Sequence, residues 1–366
     1  RCLSLGFRAA TSTRVSLATN LGLNSVYCAI ILLHAYDKIN CLSQKSNIAI
    51  KNKKVQALMK ECTLRLMLFN GGIIFYLFAA QPTAAQIVPD TTLPVNSTVT
   101  PAGNTSVIEG GTKAGSNLFH SFSEFSVPTG GIAEFNNTLD VQNIFTRVTG
   151  GKISNIDGLI RAYGTANLFL INPNGIIFGQ NARLDIGGSF FATSANSMKF
   201  ADNFEFSAKN PQPTPLLTIN VPVGLQFGSN AGSVSINKSS LQVNPGKSLG
   251  LIGGNVSIDG GKLVAPSGRV ELGGVAGENT VGLFPIGDFF GLNFPQGVPR
   301  ADVFLTNQAQ VNVLSSSGGS IAVNAGNLNM SGGSKLVTGI SGVSLPNTQA
   351  ENIEINATGI ALADGS

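Results

Sequence analysis

Ser233-Val234-Ser235-Ile236 returns as Asn255-Val256-Ser257-Ile258, and Leu241-Gln242-Val243 returns as Leu263-Val264-Ala265, each 22 residues on. Apolar residues two apart share one face of an extended strand, with serine on the other. A repeat in the low twenties holding two or three short strands is one coil of a parallel β-helix. No coil can bury its own apolar face, so the coils must stack, and parallel connections wind right-handed. Between strands stand Asn244-Pro245-Gly246, Asp259-Gly260-Gly261 and Ser331-Gly332-Gly333, residue types that turn the backbone at coil corners.

Outward from this stretch the pattern continues. Short apolar runs recur at Val303–Leu305, Val311–Val313, Ile321–Val323, Leu328–Met330, Leu336–Thr338 and Ile353–Ile355. Upstream, strands are expected at Ser106–Glu109, Ala133–Phe135, Ile144–Val148, Leu168–Ile171, Ile176–Phe178 and Ser189–Thr193. From Gln86 onward no stretch holds the i, i+3, i+4, i+7 spacing of a helix. The expected fold is therefore all-β: a right-handed parallel β-helix with an N-terminal cap and small hairpin extensions. Open strand edges invite uncontrolled pairing, so the first coils need covering, and residues 86–130 are the expected cap.

Composition divides the chain. Ten of the 23 Lys and Arg but two of the 19 acids fall in residues 1–85, a net +8, leaving −4 for the rest. Dispersed cations on a mildly acidic product give no footprint for a phosphate backbone, which excludes nucleic acid as a partner. Forty of the 44 glycines lie in residues 86–366, while all four cysteines lie in the first 62 residues. The product after residue 85 cannot lock itself with disulfides, and stacked coils bury enough area without them.

Residues 59–85 read as an export signal: Lys60 and Arg65, an apolar run from Leu66 to Ala80, then small residues before a cut between Ala85 and Gln86. The run is shorter than the ~20 residues a membrane span needs. Met59 is the first methionine, so residues 1–58 are read as an upstream segment outside the native product, or as a leader. The rest is read as a secretion domain with capping strands over 86–225 and repeat coils over 226–366. The repeat is still running at Ala363-Asp364-Gly365-Ser366, and further chain is expected beyond it.

The most specific element is Asn167-Leu168-Phe169-Leu170-Ile171-Asn172-Pro173-Asn174-Gly175-Ile176-Ile177-Phe178-Gly179, two apolar strands joined by a tight turn. Proline pre-sets φ, the asparagine side chain bonds the turning backbone, and Asn-Gly tolerates left-handed geometry. Together with Asn117–Phe125, Asn143–Gly151 and Ile153–Gly158, the segment resembles the secretion domain of the filamentous haemagglutinin family (the haemagglutination activity domain) in a cyanobacterial-like form, over residues 87–206. Asn172, Pro173, Asn174, Gly175 and Ile176 match that family's NPNGI motif. Its second motif, NPNL, has a partial counterpart in Asn136-Asn137-Thr138-Leu139, with Asn136, Asn137 and Leu139 as the corresponding residues.

The resemblance implies export by two-partner secretion. The general secretory machinery carries the chain to the periplasm, and an outer-membrane β-barrel transporter with polypeptide-transport-associated domains recognises it there. The chain docks while extended and ends as a secreted or cell-surface adhesin; chain beyond Ser366 would carry any host-cell or polysaccharide ligand. The competing reading is a self-contained β-helix that binds or degrades carbohydrate. Such an enzyme needs clustered carboxylates, whereas Asp259, Glu271 and Glu278 are only loosely grouped and read as solvated corner residues. His120, the one histidine after the signal, reads as a packed or capping residue. No catalytic residue, metal set or cofactor is expected.

Overall fold

The computed structural model describes residues 87–212, 218–286, 289–342 and 350–366. Residues 1–58, the signal segment 59–85 and the Ala85/Gln86 cut lie outside the described residues. Thr83–Ser366 form one compact unit, and it is a parallel β-helix whose coils present three faces.

Face one stacks Asn117–Phe125, Asn143–Val148, Asn167–Ile171, Phe190–Thr193, Ser248–Gly253, Arg269–Gly274 and Ser320–Met330, each parallel to the next. Face two stacks Ser154–Ile156, Ile176–Phe178, Val234–Asn237, Val256–Asp259 and Val303–Thr306, and closes on the far end of Ser320–Met330. That long strand turns the corner, so both faces belong to one sheet. The third face is two sheets, one running through Thr105–Gly110, Ile132–Phe135, Leu159–Ala162 and Arg183–Ile186, the other through Ser240–Gln242, Lys262–Val264, Gln310–Asn312 and Lys335–Val337.

The 22-residue repeat is the true stacking register: Val234 pairs with Val256 and Leu241 with Leu263. The next step, from Val256 to Val303, is 47 residues, because chain leaves the coil between faces one and two. It does so twice, over residues 194–233 and 275–302. The two excursions build a five-stranded antiparallel sheet in the order Glu205–Ser207, Ser197–Phe200, Pro222–Phe227, Asn279–Ile286, Phe289–Asn293.

This sheet explains why face one is apolar on both sides. Leu168 and Leu170 point into the coil interior, while Phe169 and Ile171 join a second cluster with Met198, Phe206, Leu225 and Val281 of the antiparallel sheet. A strand buried on both sides loses the alternation of a half-buried one and reads as a continuous apolar run. Down the outer side, Phe119, Phe145, Phe169 and Phe191 stack at centroid separations of 5.2, 5.0 and 5.4 Å. The next position is Gly250, where an added Cβ would lie 2.2 Å from the Phe191 ring. Beside them Asn117, Asn143 and Asn167 form a ladder, each side chain donating to its predecessor at 3.0 and 2.9 Å.

Antiparallel strands cover the first coils over a shorter stretch than the expected cap 86–130, within which Thr105–Gly110 and Asn117–Phe125 pair parallel with the next coil and are rungs of the stack itself. Ser97–Ala102 lies antiparallel on Thr105–Gly110, and Ile87–Pro89 lies antiparallel on Asn117–Phe125. Position 225/226 falls inside the strand Pro222–Phe227, and the interior cluster runs unbroken from Ile87 to Met330. The last strand, Ile353–Leu362, pairs parallel with Ser320–Met330.

Candidate functional site: the motif corner

Asn167–Ile171 on face one and Ile176–Phe178 on face two are joined by the four residues Asn172–Gly175, so the motif is one corner of one coil. A four-residue β-turn closes it, with Gly175 N–H donating to Asn172 O at 3.0 Å. Gly175 takes φ 113°, and an added Cβ would meet Ser233 O at 2.8 Å, so only glycine fits.

Asn172 is fully buried. Its Nδ2 donates to Lys152 O at 3.0 Å and to Ser154 Oγ at 2.9 Å, both on the coil below. Its Oδ1 accepts from Asn174 N and Asn174 Nδ2, each at 3.0 Å. Both donors and both lone pairs of the amide are therefore engaged. Asn174, half-buried, also donates from Nδ2 to Gly150 O at 2.7 Å. Backbone bonds from Ser154 N to Gly175 O, Gly232 N to Pro173 O and Ile176 N to Ser233 O tie the corner to the coils below and above. All five motif residues, Asn172 through Ile176, are thus brought together as a clamp between three successive coils.

The partial second motif sits at a corner of another coil and uses the same device. Asn137 donates to Tyr163 O at 3.0 Å and accepts from Tyr163 N at 2.9 Å, holding the backbone of the next coil on both sides. Asn136 donates to Glu109 Oε1 at 2.7 Å, and Leu139 is 77% exposed.

His120 is packed, as expected. It lies buried between Phe122 and Phe135, with Ser97 Oγ 2.9 Å from Nδ1, and burial pushes its pKa down to about 3. Among the three loosely grouped acids, Asp259 is a corner residue bonded to Asn307 at 2.5 Å, and Glu278 is exposed. Glu271 corrects the sequence reading. It is no solvated corner residue but a fully buried mid-strand one, accepting from Arg269 Nε at 2.6 Å and Leu292 N at 3.2 Å, with Oε2 unpartnered. Burial pushes its pKa up to about 7, against the pull of Arg269. The excursion 275–302 covers it, which a one-dimensional pattern does not disclose. Among the described residues no three His, Cys, Asp or Glu side chains cluster as a metal site.

Sequence reasoning also missed a buried ionic network. Arg147, 1% exposed, donates to Ser121 Oγ, Ser207 O and Thr92 Oγ1 at 2.9 Å each and lies 4.3 Å over the Phe206 ring. The hydroxyls of Ser121 and Thr92 donate in turn to Asp90 at 2.8 and 2.6 Å, and Thr149 does so at 2.6 Å. Burial raises the Asp90 carboxyl, and the bonds from Thr149, Thr92 and Ser121 outweigh it, holding it below its ordinary value. Burial lowers the Arg147 guanidinium to about 10, with Asp90 opposing the shift. The network joins the segment after the first strand, the coil body and the antiparallel sheet. The only sequence signal was a cation inside an otherwise apolar run.

Comparison with known proteins places this geometry. A family model described as the TPS secretion domain matches residues 85–323. A heme/hemopexin-binding protein of Haemophilus influenzae is 39% identical over 59 residues, which are 16% of this chain and 6% of that protein, so the chain spans a small part of this relative's length. Of solved structures, the HMW1 secretion domain from Haemophilus influenzae aligns with a TM-score of 0.47 at 17% identity, over 76% of this chain and 73% of that one. The filamentous hemagglutinin secretion domain aligns with a TM-score of 0.37 at 16% identity, over 76% of this chain and 97% of that one. With the family model running through the cap, the motif corner and the stacked coils, the chain belongs to the TPS secretion domains, the secretion-targeting N-terminal regions of two-partner secretion exoproteins.

Proposed function

We propose that the motif Asn172–Ile176 is read by the transporter while the chain is extended, and that it then changes role and becomes the clamp of the folded corner. The observation that carries this is the complete engagement of Asn172: in the folded coil its amide has no group left for a partner. A transporter that recognises these side chains must meet them before the corner closes. Residues 59–85 direct the chain through the general secretory machinery, and cutting between Ala85 and Gln86 frees a product whose first described strand starts at Ile87. In the periplasm the cap and early coils, within 86–225, address it to an outer-membrane β-barrel with polypeptide-transport-associated domains. Asn136, Asn137 and Leu139 serve as a secondary part of that address.

Outside the cell the coils over 226–366 fold one upon another. Each added coil buries an apolar face, at roughly 25 cal/mol per Å², and so opposes backsliding. The family is a non-enzymatic secretion domain.

The test is export of the full chain into the medium with and without a candidate barrel. Asn172→Ala with Asn174→Ala is compared with Leu263→Ala, a core truncation beyond the motif that costs about 2–5 kcal/mol. Partner-dependent export lost in the asparagine variant and kept in the leucine variant supports reading of the motif. Equal losses reduce the motif to a folding element. Partner-independent release overturns the address altogether and favours a self-contained carbohydrate-active β-helix.

A further inference from the structure

Asn174-Gly175 is the one Asn-Gly step between Gln86 and Ser366. In an unfolded chain this step is chemically labile, because glycine offers no side chain to keep its backbone nitrogen from the asparagine amide. The Gly175 nitrogen attacks Cγ of Asn174, forming a new C–N bond. The Cγ–Nδ2 bond breaks, ammonia leaves with the proton from Gly175 N–H, and a five-membered succinimide remains. One water then opens the ring, giving aspartate at 174 or, by cleavage at the other carbonyl, a backbone rerouted through the β-carbon.

The folded corner blocks each of these steps. The attacking Gly175 N–H is engaged with Asn172 O at 3.0 Å. The leaving amide is held by two bonds, to Gly150 O at 2.7 Å and Asn172 Oδ1 at 3.0 Å. Gly175 itself is locked at φ 113° against Ser233. The product also cannot rebuild the corner. Aspartate at 174 lacks both donors and sets a carboxylate against two oxygens, and the longer β-linked backbone displaces a glycine that has no room beside Ser233 O.

We infer that the Asn174-Gly175 step is a site of spontaneous deamidation that marks chains left unfolded, and that closure of the corner protects it. A chain that waits too long loses the same residue that the turn needs, so the lesion falls on the motif and not at random. The chemistry goes beyond the export reading and stands without it; only the consequence for export rests on the transporter reading the open turn.

The experiment incubates the full chain at mildly alkaline pH, folded in buffer and unfolded in urea, and follows Asn174 by peptide mass spectrometry. Asn104-Thr105 and Asn255-Val256 serve as internal references. Expected is conversion at Asn174 well ahead of both references in urea, and at least ~10-fold slower conversion in the folded chain, since reaction there must wait for local opening. Equal rates at Asn174 in the two states overturn the proposal, as does conversion in urea no faster than at the reference steps. A separate arm refolds Asn174→Asp: a lower urea midpoint than wild type is expected, and an unchanged midpoint overturns the claim that the corner needs the amide. Neither arm uses the transporter, so failure here leaves the export reading standing, and failure of export leaves this chemistry standing.

Discussion

The first and the last described strands of the coil stack are built from similar residues and have opposite surroundings. At the first end Ile87, Leu93 and Ile108 are under 5% exposed; at the last, Ile360 and Leu362 are 55% and 60% exposed. Ile353-Glu354-Ile355 alternates as well as Val256-Ser257-Ile258 does, yet only the latter has strands on both sides. In a solenoid, burial is conferred by the neighbouring coil rather than by the strand's own pattern. At the first end that neighbour is replaced by antiparallel strands and by the Arg147 network, which anchors them to the coil body.

The largest break in this comparison is expected from Arg147→Ala. It strips the cap of its anchor and leaves Asp90, the buried Ser121 hydroxyl and the half-buried Thr92 hydroxyl without their cation, a loss of about 3–5 kcal/mol. The urea midpoint measures it, and a change under ~1 kcal/mol would show that the network is ornamental. Arg147→Lys should recover only part, because an ammonium cannot reach Ser121, Thr92 and Ser207 in one plane.

The two halves of the stack also titrate in opposite senses. The pKa of His120 beneath the cap falls from its ordinary 6.5 to about 3 on folding. Its contribution is intact above pH 6.5 and is lost as pH drops toward 3, because the unfolded chain binds the proton first. The pKa of Glu271 rises from 4.5 to about 7. Its contribution is intact below pH 4.5 and is lost as pH rises through 7. Each slope approaches at most about 1.4 kcal/mol per pH unit. Glu271→Gln should flatten the decline between pH 4.5 and 7 while leaving the acid limb; a profile unchanged in that window refutes the assignment.

Gly250→Ala tests the middle of the stack. A methyl group would press on the Phe191 ring and cost about 1–3 kcal/mol by overpacking, read as a lower melting temperature. In the last described strand, where Leu362 is 60% exposed, Leu362→Ser should move stability by no more than ~0.5 kcal/mol. A large loss there would mean that the last strand is covered in solution.

Much of this was legible beforehand because a β-helix is a local code. The 22-residue period carries register directly: equal coils put Val234 over Val256 and Leu241 over Leu263 with no further information. The turn Asn172–Gly175 was equally legible, since proline and Asn-Gly specify a corner by their own backbone preferences. The antiparallel sheet was not. Its strands, such as Ser197–Phe200 and Asn279–Ile286, lie 80 residues apart and pair through Pro222–Phe227 between them, and nothing in either segment encodes that partnership. The continuous apolar run Leu168–Ile171 was the one trace of it, visible as a strand with no polar face.

The amino-acid sequence by itself determined the repeat, the corners and the family, because each depends on residues near one another in the chain. Tertiary structure alone decided what those residues face. It turned Asn172 from a turn-former into a buried clamp, placed Arg147 under the cap and sealed Glu271 beneath an excursion whose strands begin several residues downstream of it. Burial and the pKa shifts it causes follow from what packs across the coil, and distance along the chain carries no record of that.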